Sequence, residues 1–400
     1  MSDATVPPSL TTLQIFWRFL RFGLLAWGGP VAQIAMIRRD LVDEEHWVSS
    51  GRFNRLLAVY QVLPGPEAHE LCVHLGMVAG QRRGGVAAGL GFMLPGFVLM
   101  LALSWLYFRL NLTQSALSAV FLGVQAGVMA LIVRAVHRIG GHVLSSAWLW
   151  VISILAGVAA FLGTSFWIVL PASGLIFLLL AHRRYWTAGA AIAAAAALAT
   201  VLHPPTAVAP LAPAATPLLV AGSIPAFTLF LSGLKAGLLT FGGAYTVIPF
   251  LRDDAVGKGW MTDGQFLDGV ALSGILPAPL IIFSTFVGYY AGGPTGALAM
   301  TAGIFLPAFA FSLLFYDGLE RVVENERLHR FLEGVAAGVV GFIVATTLEL
   351  GVALAQRVPS PLAAAAIFAG ALALLYLWKS RLNMVAAIVA SGIIGYFAMG

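Results

Sequence analysis

Apolar stretches of about twenty residues recur along most of this 400-residue chain; 88–108 and 186–202, for example, carry no charged side chain. As helices, segments of that length cross the hydrocarbon core of a bilayer with their backbone hydrogen bonds satisfied internally. A membrane β-barrel requires alternating segments of about ten residues, and these stretches do not alternate. Only 10% of the residues are charged, against roughly 25% in soluble domains. The expected fold class is therefore an all-α polytopic membrane protein.

One pattern occurs twice. FGLLAWGGP at 22–30 returns as AGLLTFGG at 236–243, an offset of 214 positions. LPGP (63–66) returns as LPAP (276–279) at an offset of 213, and LPGF (94–97) as LPAF (306–309) at 212. Order, spacing and residue type agree together, so the chain reads as two homologous halves, 1–202 and 218–400. The proline-rich stretch 203–217 cannot continue a helix and is read as the linker. Candidate spans are 88–108, 115–133, 146–162, 165–181 and 186–202, then 297–315, 331–350, 360–378 and 382–399.

Loop charge suggests orientation. Arg82 and Arg83, Arg134 and Arg138, and Arg183 and Arg184 fall at every second turn, which marks those turns as cytoplasmic. The turn matching Arg82–Arg83 in the second half is AGGPTG (291–296), with no charge at all. Matched turns of unlike charge predict an inverted-topology repeat in the inner membrane, with the N-terminus cytoplasmic and the C-terminus outside. Whether 13–80 and 226–290 cross the bilayer or form re-entrant pairs is left open. The net charge of +5 is this loop bias, not a nucleic-acid footprint. A single cysteine, Cys72, excludes an intrachain disulfide and a Cys-cluster metal site. The polar N-terminus has no basic n-region, so no cleavable signal peptide is expected.

Glycine pairs and LPxP motifs inside apolar segments point to helix breaks, predicted at Gly28, Gly29 and Pro30, at Pro64, Gly65 and Pro66, at Gly242 and Gly243, and at Pro277 and Pro279. Such breaks are unfavourable facing lipid, but a half-helix that starts at one offers free N–H groups and a positive dipole end to an anion. The alternative is packing glycines and kinks, common in membrane helices. Alignment matches Arg21 with Lys235 and Arg38 with Arg252. Arg21 and Lys235 are read either as site residues or as interfacial anchors. Arg38 and Arg252 either guide an anion or pair with nearby aspartates. Gln33, Gln61 and Tyr245 are candidate hydrogen-bonding partners of an oxyanion, as are Thr246, Ser273, Ser284 and Thr285. The halves differ after LPxP: PGPEAHELCVH carries Glu67, Glu70 and His74 on one helix face, whereas PAPLIIFSTFV has no charge. Those three are candidates for proton coupling or gating. A metal site is not expected, since there is no HExxH arrangement.

These motifs resemble the chromate ion transporter family in its long, two-domain form. The resembling stretches are WGGPVAQIAMIRRDLV (27–42), YQVLPGPEAHEL (60–71) and GGVAAGLGFMLPGF (84–97), with FGGAYTVIPFLRDDAV (241–256), FLDGVALSGILPAPLIIFSTFVGY (266–289), GIFLPAF (303–309) and EGVAAGVVG (333–341). Trp27 departs from the phenylalanine usual before GGP. The resemblance implies export of chromate, conferring chromate resistance, by homologous halves of opposite orientation. The expected partners are chromate, with sulfate as a competing oxyanion, the lipid bilayer and a possible homodimer, without nucleic acid or a cofactor. No Walker motif occurs, so a secondary active transporter is the leading expectation. A sulfate or other anion importer or channel is the alternative. A membrane-embedded enzyme is more distant, because no nucleophile or metal cluster stands out.

Overall fold

The computed structural model describes residues 10–61, 63–110, 117–202, 223–241, 243–314 and 325–400; the expected linker 203–217 and Gly242 lie outside the described residues. In the first half the helices are α1 (Thr12–Leu24), α2 (Gly29–Arg38) running on into a π-turn (Arg39–Glu44), α3 (Ser50–Tyr60), α4 (Glu67–Arg109), α5 (Ser118–Val143), α6 (Ala147–Phe161), α7 (Phe166–Ala181) and α8 (Tyr185–Leu202). In the second they are α9 (Ala226–Leu238), a 3-10 turn (Ala244–Val247), α10 (Ile248–Ala255), α11 (Asp263–Gly274), a 3-10 turn (Leu280–Ile282), α12 (Phe283–Leu314), α13 (Glu326–Ala355), α14 (Pro361–Leu377) and α15 (Asn383–Met399). Among the described residues the one extended contact is an antiparallel bridge between Pro64 and Phe241. Among the described residues, four helical segments are long and apolar enough to cross a membrane: Glu67–Arg109, Ser118–Val143, Leu280–Leu314 and Glu326–Ala355.

Two of those four are bent back on themselves. In α4 the helix breaks at Gly80 (φ −151°, ψ 27°) and Gln81 (φ 54°, ψ −153°). In α12 it breaks at Gly292 (φ −142°, ψ 18°) and Gly293 (φ 63°, ψ −157°). The same two conformations recur at the repeat offset; Gly293 adopts the second freely, whereas Gln81 must be held in it. Each segment is a helical hairpin whose arms meet glycine to glycine, Gly76 on Gly84 and Gly288 on Gly296, where a Cβ would run into the opposite backbone. The first arms span 67–79 and 283–291. At 1.5 Å per residue they reach about 20 Å at most, short of a hydrocarbon core of about 30 Å. α1 and α9, 13 residues each, fall short likewise and pack on α4 and α12 respectively.

Two expected boundaries move. The span predicted at 115–133 continues as α5 to Val143, so Arg134 and Arg138 stand on a helix and not in a loop. The apolar stripe carries on through Ala135 and Ile139, both buried, and basic residues suit the last turns of a helix. In the second half α13 starts at Glu326, ahead of the predicted 331.

The halves are interlocked. α5 packs on α14 and α15 of the second half, and α13 packs on α6 and α7 of the first. Matched small residues make both contacts. Gly123 and Gly127 lie against Ser391, while Gly334 and Gly338 lie against Ser173. GVQAGVMA (123–130) thus corresponds to GVAAGVVG (334–341), and ASGLI (172–176) to ASGII (390–394). Small residues at these positions let helix backbones approach closely without a driving force from water. The corresponding helices also run antiparallel where they touch: Gly140 faces Val340 and Gly351 faces Met129, and between the hairpins Gly85 faces Leu313 and Gly89 faces Phe309.

Candidate anion site

The glycine–proline motifs start helices where the sequence places them. Gly28 (φ 87°) and Gly29 (φ 76°) are left-handed, and Pro30 follows in the first turn of α2, where its missing N–H costs nothing. Pro66 immediately precedes α4. Gly243 (φ 129°) precedes the 3-10 turn that leads into α10, and Pro279 precedes the turn into α12. The breaks also join the halves: the Gly65 N–H donates to the Thr240 carbonyl at 2.8 Å, beside the Pro64–Phe241 bridge. Gly28 is needed for conformation and for space, since a Cβ would lie 2.9 Å from the Arg381 carbonyl oxygen. Gly28→Ala is therefore expected to destabilise the protein by about 1–3 kcal/mol. A lowered unfolding temperature in detergent checks this, and an unchanged one refutes it.

Around these helix starts lies a cleft of about 530 Å³. Pro30 and Arg38 of α2, Gln61 after α3, Glu67 at the start of α4, and Gly243 line one side; Arg138 and His142 of α5 with His329 and Glu333 of α13 line the other. Arg138 lies within electrostatic reach of both Glu67 and Tyr245 and makes no ion pair among the described residues. Arg38 is loosely engaged, 3.4 Å from the Asn54 amide oxygen and 3.8 Å from Asp43, with its side chain 42% exposed. Glu333 is already neutralised by Arg330 at 3.3 Å and sits 3.5 Å from His329. Arg38, in the last turn of α2, and Arg138, near the end of α5, thus line one cleft with Glu67 and Glu333; guanidinium groups without a firm carboxylate partner are suited to charge-assisted contacts with an anion.

Other sequence candidates lie elsewhere. Lys235 is held by Asp254 at 2.7 Å and Asp253 at 3.4 Å, with Phe166 under its ammonium. Asp254 also pairs with Lys258 and accepts from the Ser232 hydroxyl. Arg21, its match, is exposed on α1 and does not line the cleft. Arg252 is ion-paired to Asp263 at 2.7 Å and to Glu349. Gln33 is buried and donates to the Ala26 carbonyl at 2.9 Å, which secures the turn before α2. Pro277 is buried outside the cleft. Thr246, Ser273 and Thr285 spend their hydroxyls on Gly243, Val270 and Thr301, and Ser284 is buried.

Glu67, Glu70 and His74 share the face predicted, and all are buried. Only Glu67 reaches the cleft. The Glu70 carboxyl lies against Gly65, where a Cβ would come within 2.6 Å of it, and neither of its oxygens has a hydrogen-bond partner among the described residues. The ring of His74 meets the Tyr60 hydroxyl at 2.9 Å. His69, in the same sequence cluster but off that face, is wedged between Phe305 and Phe309 of the second hairpin. No cluster of three or more His, Cys, Asp or Glu side chains fit for a metal occurs among the described residues.

Arg138, His142 and His329 were not sequence candidates. Arg138 was assigned to a loop because the apolar run stops at 133. The available signal was the internal alignment of α5 with α13, which places Arg138 opposite Glu349 and singles out a charged position within each helix.

The family model described as "Chromate transporter" matches residues 13–220 and 227–396. A chromate transport protein of Pseudomonas aeruginosa is 64% identical over 99% of this chain and 95% of its own length. A chromate transport protein of Cupriavidus metallidurans is 32% identical, covering 97% and 94% respectively. A probable chromate transport protein of Synechococcus elongatus is 29% identical over 94% and 92%. No solved structure matches the chain.

Proposed function

Because the chain belongs to the chromate transporter family, we propose that it is a secondary active exporter of chromate across the inner membrane and confers chromate resistance. The observation that carries this reading is the Arg38–Arg138 cleft at the junction of the broken helices. Paired guanidinium groups recognise a tetrahedral dianion through parallel charge-assisted hydrogen bonds, and Gln61 adds a further donor at the cleft wall. Expelling a dianion from a negative interior is downhill by about 2.3 kcal/mol per charge per 100 mV. Glu67 faces Arg138 at the cleft, so a proton arriving on Glu67 as the anion binds would keep the local charge balanced. Glu70 and His74 lie behind it as the remaining coupling candidates.

The inverted arrangement of the halves is supported by the antiparallel contacts of α5 with α13 and of the two hairpins, and by the unlike charges of the hairpin tips. Positive-inside bias puts Arg82, Arg83, Arg134 and Arg138 on the cytoplasmic side, so the cleft opens inward with the N-terminus inside and the C-terminus outside. Rocking of whole halves, the usual alternating-access motion, fits poorly with interlocked helices; movement of the α1–α4 and α9–α12 blocks against the interlocked bundle suits them better.

Chromate accumulation in cells expressing the chain, compared with an empty vector, tests the direction. Export lowers internal chromate; a raised level would establish import in its place. Counterflow in vesicles loaded with labelled chromate or sulfate tests the substrate, and sulfate movement without chromate movement would sink the chromate reading.

A further inference from the structure

The repeat allows the cleft to be compared, residue by residue, with its own counterpart. Positions on α2, α3 and α5 correspond to positions on α10, α11 and α13, so Arg38 matches Arg252, Ser50 matches Asp263, and Arg138 matches Glu349. In the first half the two cations face an open cleft. In the second half the same geometry holds an arginine between two carboxylates: the Arg252 Nε meets Asp263 at 2.7 Å and its Nη1 meets Glu349.

The walls differ in the same sense. Val31 is 58% exposed while its match Tyr245 is 4% exposed. Ala58 and Gln61 are exposed, but their matches, Ala271 and Gly274, are buried. One copy of the vestibule is open and the other is shut.

We infer that Arg252, Asp263 and Glu349 form the closed far-side gate of the transport path, the shut counterpart of the Arg38–Arg138 cleft, and that Glu349 is the residue that lets this side lock without a substrate. A carboxylate fixed to α13 occupies the guanidinium that on the other side is left for an oxyanion. Opening this gate breaks a partly buried ion-pair set tying α10, α11 and α13, and the anion passing through replaces Glu349 and Asp263 as the partner of Arg252. The inference rests on the transporter reading for its path, but its test needs no substrate.

Single cysteines placed at Ala58 and at Ala271, in a Cys72→Ser background, are labelled with a membrane-impermeant maleimide in right-side-out and inside-out vesicles. Ala58→Cys is expected to react from one face, and Ala271→Cys to be protected. Adding Glu349→Gln is expected to raise the labelling of Ala271→Cys about tenfold from the opposite face, and Glu349→Asp to restore protection. Asp263→Asn loosens the same arginine from another helix and is expected to act in the same direction, which covers the case in which Glu349→Gln does not accumulate. Unchanged protection of Ala271→Cys in the folded gate variants, or reaction from the same face as Ala58→Cys, would overturn the gate. Chromate counterflow on the same vesicles reports separately on the substrate. Gate labelling without chromate movement would leave the gate standing and refute the chromate reading.

Discussion

Arg138→Gln is expected to lower chromate transport at subsaturating concentrations about 10- to 100-fold, the effect of losing one charge-assisted contact worth about 1.5–3 kcal/mol. Arg138 is the cleft cation without an ion-pair partner among the described residues, so its removal orphans no carboxylate in a salt bridge and leaves the helix surface intact. Arg138→Lys keeps the charge but loses the planar fork, and an intermediate loss is expected. Arg38→Gln should act in the same direction and less strongly, because Arg38 already shares its charge with the Asn54 amide oxygen at 3.4 Å and Asp43 at 3.8 Å. Initial rates of labelled chromate movement in vesicles, normalised to protein amount, provide the measurement. Wild-type rates for Arg138→Gln would remove the cleft from the path. Lys235→Gln is a useful contrast: it strips Asp254 of one of its two cations, so its expected signature is reduced folded protein.

A second large effect concerns the interlock. Gly123→Leu and Gly334→Leu are each expected to cost about 3 kcal/mol or more, at the upper end of overpacking penalties, and to deplete folded protein from the membrane. At Gly123 a Cβ would strike the Ser391 carbonyl. At Gly334 it would lie 2.5 Å from the Ser173 carbonyl oxygen and 2.7 Å from the Phe177 Cβ. The obstacles are backbone atoms and a Cβ fixed to the backbone, so neither side can yield cheaply. Gly370→Ala on α14, where a Cβ meets nothing within 4 Å, should be neutral or slightly stabilising, by up to about 1 kcal/mol. Thermal unfolding in detergent separates the cases. Equal behaviour of Gly334→Leu and Gly370→Ala would mean that the α13–α7 contact carries little energy.

Much of this architecture is legible from local pattern. Uncharged runs mark α6, α7, α14 and α15 nearly to the residue, because bilayer thickness and apolar length are one constraint. The positions of Gly28, Gly29, Pro66 and Gly243 mark helix starts, since left-handed backbone and a missing N–H leave few alternatives. Partner choice is less legible. Gly123 and Gly127 could pack against any helix offering a small residue, and only the recurrence of ASG at 172 and 390 identifies which. The cleft cation is less legible for a related reason: hydropathy ends α5 at 133, whereas a buried stripe through Ala135 and Ile139 carries it nearly three turns further, to Val143, and sets Arg138 on the helix at the cleft wall. Arg252 illustrates the opposite error. Its near neighbours Asp253 and Asp254 suggest local pairing, but its partners are Asp263 and Glu349, the latter 97 positions away.

The exchange of α5 and α13 between the halves has a consequence for how the molecule can come into being. A polypeptide that ended after α8 would present Ser173 and Gly174 to lipid, and its α5 would display two bare glycines with nothing to receive. The same is true of a polypeptide that began at α9. Neither piece completes its own packing, so each acts as the template on which the other closes. Insertion of the early helices therefore precedes their final burial, which waits until α13 to α15 have left the ribosome. Two separately translated pieces divided between α8 and α9 are expected to be recovered together or degraded alone.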